Sequence, residues 1–294
     1  MRMHMPSNLR DPRIGAEMGD ITAGDPLRRV GLDEEKLSGS LAPGCVHVWC
    51  VTGEDMDDPA VLRRGASDLT APEVARAARF AKPEDRHRFI IGRWMLRHLL
   101  AAYSLAVPRK ITFAINQHGR PELAGLNRLR IHFNLSHTDG LVACAFTSGT
   151  EIGIDVERMR PSRFDMEVAC NYFSVAACRD IIDASEGLQT ERFFEYWVLM
   201  EACAKARGTG LVRPAVGYFV FENAGRSRIR FMPSQANDPT AWNFWLVEPA
   251  VEYRMAVAMA GEPSGPPIVR RLRPDGSYNT ISRTVASSGT SPWT

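Results

Sequence analysis

Four residues carry the chemistry that this sequence suggests. Asp155 and Glu157 stand in Glu151-Ile152-Gly153-Ile154-Asp155-Val156-Glu157, and Glu201 and Lys205 in Trp197-Val198-Leu199-Met200-Glu201-Ala202-Cys203-Ala204-Lys205. Apolar and polar residues alternate in the first run, which is the period of a strand, so positions 155 and 157 point the same way. The second run is spaced as a helix, which puts Trp197, Glu201 and Lys205 on one face. Paired carboxylates suit a hard divalent cation: Mg²⁺ is usually held by one or two of them, with substrate phosphates completing its shell. A lysine meets phosphate as a point charge. The combination reads as phosphoryl chemistry. Taken singly, each part is ordinary. Glu201 and Lys205 alone would be an i,i+4 surface pair worth ~0.2–0.5 kcal/mol, and Asp155 with Glu157 the polar face of an edge strand. What favours chemistry is that the strand is otherwise apolar and follows Ser136-His137 at a short interval. That serine and histidine lack a surrounding G-x-S-x-G and an evident third member, which disfavours a nucleophilic pair.

Elements must position these groups. Apolar periodicity predicts strands at about 46–51, 111–115, 131–135 and 141–147, with helices at about 71–80 and 85–104. The order then recurs, with a strand at 152–157, helices at about 165–171, 174–185 and 190–207, and strands at about 216–221, 227–232, 241–248 and 252–260. Strand, helices, then several strands, twice over, predicts an α+β protein of two pseudo-symmetric lobes, each a helix-packed, mostly antiparallel sheet. The expected domains are 44–148 and 149–261, hinged near Ser148-Gly149-Thr150, with the active site in the cleft between them. Residues 1–43 and 262–294 are rich in Gly, Pro, Ser, Arg or Asp without periodicity and read as a disordered arm and tail. Trp94, Trp197 and Phe194 read as core.

The bulk numbers exclude several classes. A net charge of +2 over 294 residues argues against a nucleic-acid binder and an anionic membrane surface. Six cysteines without a Cys-x-x-Cys pair read as buried thiols of a reducing cytoplasm. Nothing reaches the ~18 apolar residues of a membrane span. Only Lys36, Lys82, Lys110 and Lys205 are lysine among 36 basic residues, so each lysine draws notice.

An ordered set of motifs resembles the 4′-phosphopantetheinyl transferase superfamily, of the type that activates non-ribosomal peptide and polyketide synthases. It begins with Arg79-Phe80-Ala81-Lys82-Pro83-Glu84-Asp85-Arg86-His87-Arg88-Phe89, running into Gly92-Arg93-Trp94-Met95-Leu96-Arg97. It continues with Gly119-Arg120-Pro121, Phe133-Asn134-Leu135-Ser136-His137, Gly153-Ile154-Asp155-Val156-Glu157 and Tyr172-Phe173-Ser174. It ends with Trp197-x-x-x-Glu201-Ala202-x-x-Lys205 and Gly208-Thr209-Gly210-Leu211.

The resemblance implies Mg²⁺-dependent transfer of 4′-phosphopantetheine from coenzyme A to a serine of an apo acyl or peptidyl carrier protein, with release of 3′,5′-ADP. A monomer is expected, because two pseudo-symmetric halves would let one chain do the work of a dimer. By motif position, Asp155, Glu157 and Glu201 would hold the metal. Lys205 would face the pyrophosphate, and Glu201, directly or through a water, would take the serine proton. Ser136, His137, Lys82, Arg97 and Arg120 would contact coenzyme A, chiefly its phosphates. Met200 stands where many relatives carry lysine, and Arg120 where lysine is common. Two other classes fit part of the pattern. A non-catalytic coenzyme A or carrier-protein binding module would rest on Met200, and a Mg²⁺-dependent phosphodiesterase would act without a carrier.

Overall fold

In the computed structural model, residues 37, 41–104, 106–115, 121–124, 130–210, 217–222, 226, 228–233, 241–273, 275–281 and 284–288 are described. Two antiparallel hairpin systems form the frame. Strands β1 (His47–Thr52), β4 (Ile131–Thr138) and β5 (Leu141–Ser148) lie side by side in the order β1-β5-β4. Strands β6 (Ile152–Arg158), β9 (Trp242–Val247) and β10 (Tyr253–Ala260) lie in the order β6-β10-β9. Small hairpins β2 (Phe113–Ile115) with β3 (Pro121–Leu123), and β7 (Gly217–Phe221) with β8 (Ile229–Pro233), accompany them. The fold is a mixed α+β arrangement of several antiparallel sheets.

The strands are two-faced, and the alternation sorts their side chains into separate cores. Along β1, Val48 and Cys50 face one way, and along β5 so do Leu141, Ala143 and Ala145; all join Ile152, Ile154 and Val156 of β6 and Met255, Val257 and Met259 of β10. This apolar layer lies between the two sheets. The opposite face of the first sheet (Trp49, Val51, Val142, Cys144, Phe146) is covered by the long helix Pro83–Ser104, through Ile91, Trp94, Met95 and Leu99. The opposite face of the second sheet is covered by Glu186–Arg207, through Val198, Leu199, Ala202 and Ala206. Numbering helices in chain order gives α1 (Gly53–Met56), α2 (Pro59–Ser67), α3 (Ala71–Ala77), α4 (Pro83–Ser104), α5 (Met166–Tyr172), α6 (Val175–Ile182) and α7 (Glu186–Arg207). Helix α2 begins on a clear local signal. Asp58 accepts the amide of Ala60, and Pro59 occupies the first turn, where its missing N–H costs nothing.

The segment expected to be a disordered tail is folded over most of its length. Strand β11 (Ile268–Leu272) lies parallel to β1, β12 (Tyr278–Thr280) pairs with β11, and β13 (Thr284–Ser287) pairs with β9. The sheets are therefore β12-β11-β1-β5-β4 and β13-β9-β10-β6. Few alternating positions were visible in this Ser/Gly/Arg-rich stretch, yet Val269, Leu272 and Ala286 are each at most 2% exposed. Of the expected N-terminal arm, residues 1–36 and 38–40 lie outside the described residues, but Leu37 is buried in the core under α4. All six cysteines are free thiols. Among the described residues no helix is long and apolar enough to cross a membrane.

Candidate active site

Strands β4 and β6 are edge strands of the two sheets, and they run alongside one another. An edge strand leaves backbone N–H groups without a ladder partner, and each must find an acceptor. On β6 those of Ile154, Val156 and Arg158 are taken up by side chains of β4: Asn134 Oδ1 at 2.9 Å, Ser136 Oγ at 3.3 Å and Thr138 Oγ1 at 3.2 Å. The two sheets are thus stitched by side chains rather than by backbone pairing.

Helix α7 crosses the outer face of β6 at Gly153. A Cβ built on that glycine would lie 2.1 Å from the carbonyl oxygen of Ala202 and 2.5 Å from the amide nitrogen of Ala206. No other residue type permits this approach. The contact sets Glu201 and Lys205 of the helix beside Asp155, two residues along the strand on the same face.

A cavity of about 500 Å³ opens there, lined among others by Ser136, His137, Asp155, Glu157, Trp197, Glu201 and Lys205, with Gly208 and Gly210 at the end of α7. Gly208 closes that helix in the left-handed region, at φ 66°. Asp155 is 4% exposed. Its Oδ1 accepts Lys205 Nζ at 2.6 Å and Ser136 Oγ at 2.9 Å, and Lys205 also donates to Ser136 Oγ at 3.0 Å. Its Oδ2 is buried with no hydrogen-bond partner. Glu157 accepts Thr138 Oγ1 at 3.1 Å and faces Arg163 at 3.5 Å.

The electrostatics of the pocket are those of crowded carboxylates. Burial pushes Glu201 up to about 7, and Asp155 and Glu157 add to the rise while Lys205 opposes it. Burial raises Glu157 as well, helped by Asp155. His137, exposed at the cavity rim, is held below the ordinary histidine value by desolvation from the atoms crowding its ring, then by the charges of Arg88 and Lys205. An excess of buried negative charge with an orphaned carboxylate oxygen fits a hard cation. Among the described residues no three His, Cys, Asp or Glu side chains close up to ligand distance. Mg²⁺ does not need such a cage, since it keeps waters and takes only one or two carboxylates alongside phosphate.

The structure brings together most of the residues singled out in the sequence, but not all. Asp155, Glu157, Glu201, Lys205, Ser136 and His137 line one cavity. Arg120 lies outside the described residues. Lys82 is exposed ahead of α4 and does not reach the cavity lining. Arg97 is a correction: its side chain is 2% exposed and committed to the fold. It donates to Glu73 Oε2 at 2.7 Å and to the carbonyls of Ile111 at 2.7 Å and Pro108 at 3.1 Å. A guanidinium so enclosed has no free edge for a phosphate. Trp197, expected in the core, packs against it, stacking on Phe193 and meeting Tyr172 edge-on, and borders the cavity as well. Met200 is 2% exposed, belongs to the core behind α7 and does not line the cavity. Sequence reading missed Thr138. Its position two residues after Ser136, at the strand period, was the available signal.

Comparison with known proteins gives a consistent set of matches. Residues 151–258 match the family model described as 4′-phosphopantetheinyl transferase superfamily. Residues 60–149 match that for the N-terminal part of 4′-phosphopantetheinyl transferase. The chain is similar to the 4′-phosphopantetheinyl transferase HetI of Nostoc sp., with 32% identity over 219 residues, 74% of this chain and 88% of the relative. It resembles the 4′-phosphopantetheinyl transferase Sfp of Bacillus subtilis at 30% identity, covering 67% of this chain and 84% of the relative. A further Bacillus subtilis 4′-phosphopantetheinyl transferase is 33% identical over 58% of this chain and 75% of its own length.

Proposed function

Since this chain belongs to the 4′-phosphopantetheinyl transferase superfamily, we propose that its cavity binds coenzyme A with Mg²⁺, delivers the arm to a carrier-protein serine and releases 3′,5′-ADP. The protein is an enzyme that transfers 4′-phosphopantetheine to carrier proteins. The observation that carries the site assignment is the meeting of Asp155, Glu157, Glu201 and Lys205 on one cavity.

The serine hydroxyl attacks the phosphorus that bears the pantetheine arm. The bond from that phosphorus to the bridging oxygen breaks, and the oxygen leaves with the nucleotide. A divalent cation held by Asp155, Glu157 and Glu201 would neutralise the charge gathering on the pyrophosphate. Lys205 is 29% exposed on its side chain, so its ammonium can serve a phosphate oxygen at the cavity wall. Glu201 is the group placed to accept the serine proton, directly or through one water; a cation bound to it would lower its affinity for that proton, so positioning supplies much of the effect. His137 on the rim can hydrogen-bond a phosphate of coenzyme A. Ser136 is tied to Asp155 and Lys205, so its service to coenzyme A runs through them. Met200 packs in the core and out of the cavity, which counts against a non-catalytic binding module.

The finer architecture is part of the same proposal. The orders β1-β5-β4 and β6-β10-β9, each with a small hairpin and a 22-residue helix, support a pseudo-symmetric two-lobe reading with the active site at the seam. The soluble composition and free thiols support a cytoplasmic setting.

The test is turnover. The protein, coenzyme A, Mg²⁺ and a purified apo carrier protein are incubated, and the carrier is weighed by mass spectrometry. One pantetheine arm is gained with the native protein and none with Asp155→Ala or Glu201→Ala, each retaining its fold. Near-normal turnover by either variant refutes the metal assignment. Release of nucleotide without any carrier would point instead to a phosphodiesterase.

A further inference from the structure

The stitching between β4 and β6 repeats with an unusual regularity. Ser136 Oγ accepts the amide of Val156 and donates to the carboxylate of the preceding residue, Asp155, at 2.9 Å. Thr138 Oγ1 accepts the amide of Arg158 and donates to the carboxylate of its preceding residue, Glu157, at 3.1 Å. The third member, Asn134, accepts the amide of Ile154 through its amide oxygen, and the preceding residue there is Gly153, which has no side chain to hold. A hydroxyl stands wherever β6 carries an acid, and a carbonyl acceptor wherever it carries none. A hydroxyl has one proton. Once its oxygen accepts the backbone N–H, that proton is left for the carboxylate. The edge pairing and the aiming of the acids are therefore one device.

We infer that Thr138 is a positioning residue for Glu157, as Ser136 is for Asp155, and that these hydroxyls set the spacing of the two carboxylates that face α7. Thr138 is 6% exposed and so is shielded from exchange of its bond for water. Its β-branch suits the strand, and its hydroxyl serves both β6 bonds at once. Glu157, without that bond, retains Arg163 at 3.5 Å on a side chain that is half exposed. The carboxylate would then swing toward the arginine and away from Asp155. The inference rests on the carboxylate assignment made above, so its test must separate the two.

The experiment compares Thr138→Val, which keeps the shape and removes the hydroxyl, with Thr138→Ser, which keeps the hydroxyl. Asp155→Asn is run in parallel. Binding of Mn²⁺ alone to the protein is measured by electron paramagnetic resonance, and kcat and KM for coenzyme A are measured separately. Thr138→Val is expected to weaken Mn²⁺ binding and to lower kcat by about tenfold or more, the usual cost of losing a group that orients a metal ligand. KM for coenzyme A changes little, and Thr138→Ser restores both losses. Should the valine variant fail to fold, Thr138→Ala carries the same comparison. Native Mn²⁺ affinity and kcat in a hydroxyl-less variant would overturn the inference, including the case where only its thermal midpoint falls. If Asp155→Asn also behaves as native, it is the carboxylate assignment that fails. If Asp155→Asn is dead while Thr138→Val is native, only the role of Thr138 fails.

Discussion

Arg97 and Lys205 show how the same residue type divides between fold and chemistry. Both are basic residues on long helices, and both resemble phosphate ligands in sequence. Arg97 is enclosed and paired with Glu73, whose carboxyl the Thr70 amide and the guanidinium hold below its usual value against the opposing effect of burial. Removing Arg97 leaves Glu73 with Thr70 and the more distant Arg93 at 3.8 Å, and takes a donor from the carbonyls of Pro108 and Ile111. Arg97→Ala should therefore destabilise the fold by about 3 kcal/mol, read from urea unfolding. Coenzyme A binding by the folded fraction should be unchanged, and a loss of affinity at full folding would return Arg97 to the ligand site. Lys205→Ala should instead be read first in activity: kcat falls about 100-fold or more, as when one transition-state contact is removed. Because Lys205 also pairs with buried Asp155 at 2.6 Å, the unfolding midpoint drops as well, and kcat is measured on the folded fraction. The sequence could not separate these two, because Glu73 and the carbonyls of Pro108 and Ile111 approach Arg97 only through the tertiary fold.

Strand β6 and helix α7 were legible because their chemistry obeys their periods. Asp155 and Glu157 are two apart on a strand, and Glu201 and Lys205 four apart on a helix, so each pair shares a face before any tertiary contact is known. What joins the elements was hidden. The crossing of α7 over Gly153 is a backbone approach, and the sequence marks it only by a glycine in a strand. Gly153→Ala drives a methyl into the Ala202 carbonyl, and the helix must lift. The expected cost is about 1–3 kcal/mol or more, together with loss of turnover even at temperatures where the variant is folded. Native kcat in that variant would show that the close approach does not set the geometry of the site. Strand β1 makes an independent prediction. His47 is 2% exposed, and its Nδ1 lies 2.9 Å from the Tyr103 hydroxyl, which also accepts Trp49 Nε1 at 2.8 Å. The tyrosine proton thus goes to a neutral imidazole. Burial, with the charge of Arg270, lowers the histidine to about 4. An unfolded chain takes up this proton from about pH 6.5 downward, whereas the folded chain resists until about 4. Stability from this group is complete above pH 6.5 and drains away between there and pH 4, by an amount on the order of 3 kcal/mol. Urea midpoints at pH 7 and pH 5 should differ accordingly, and His47→Gln should flatten the slope over that window.

At the scale of the molecule, the decisive element is the one that composition disguised. The matched family residues end at 258, yet the chain goes on to complete both sheets. Strand β11 lies against β1 and hands Val269 to the layer between the sheets and Leu272 to the core under α4. Strand β13 then crosses to β9 and buries Ala286 against the core of α7. Side chains from one segment thus enter all three cores. Sequence reading missed this because the strands are short, and β11 carries arginines on its half-buried positions. One of these, Arg270, lies over the rings of Trp49 and Tyr278, and Arg271 pairs with Asp55 at 3.1 Å. Such a side chain is apolar along its stem and charged only at its tip, so a strand can bury it without an apolar letter in the sequence. Truncation after residue 265 would bare the edge of β1 and the cores at Val269, Leu272 and Ala286. Each large aliphatic side chain removed costs roughly 1.5–3 kcal/mol in burial alone, against a total stability of about 5–15 kcal/mol for an ordinary domain. The truncated protein should therefore be insoluble or should unfold at a much lower temperature. A truncated protein with a native melting point and normal transfer to a carrier would show that these strands decorate the fold and do not hold its sheets in place.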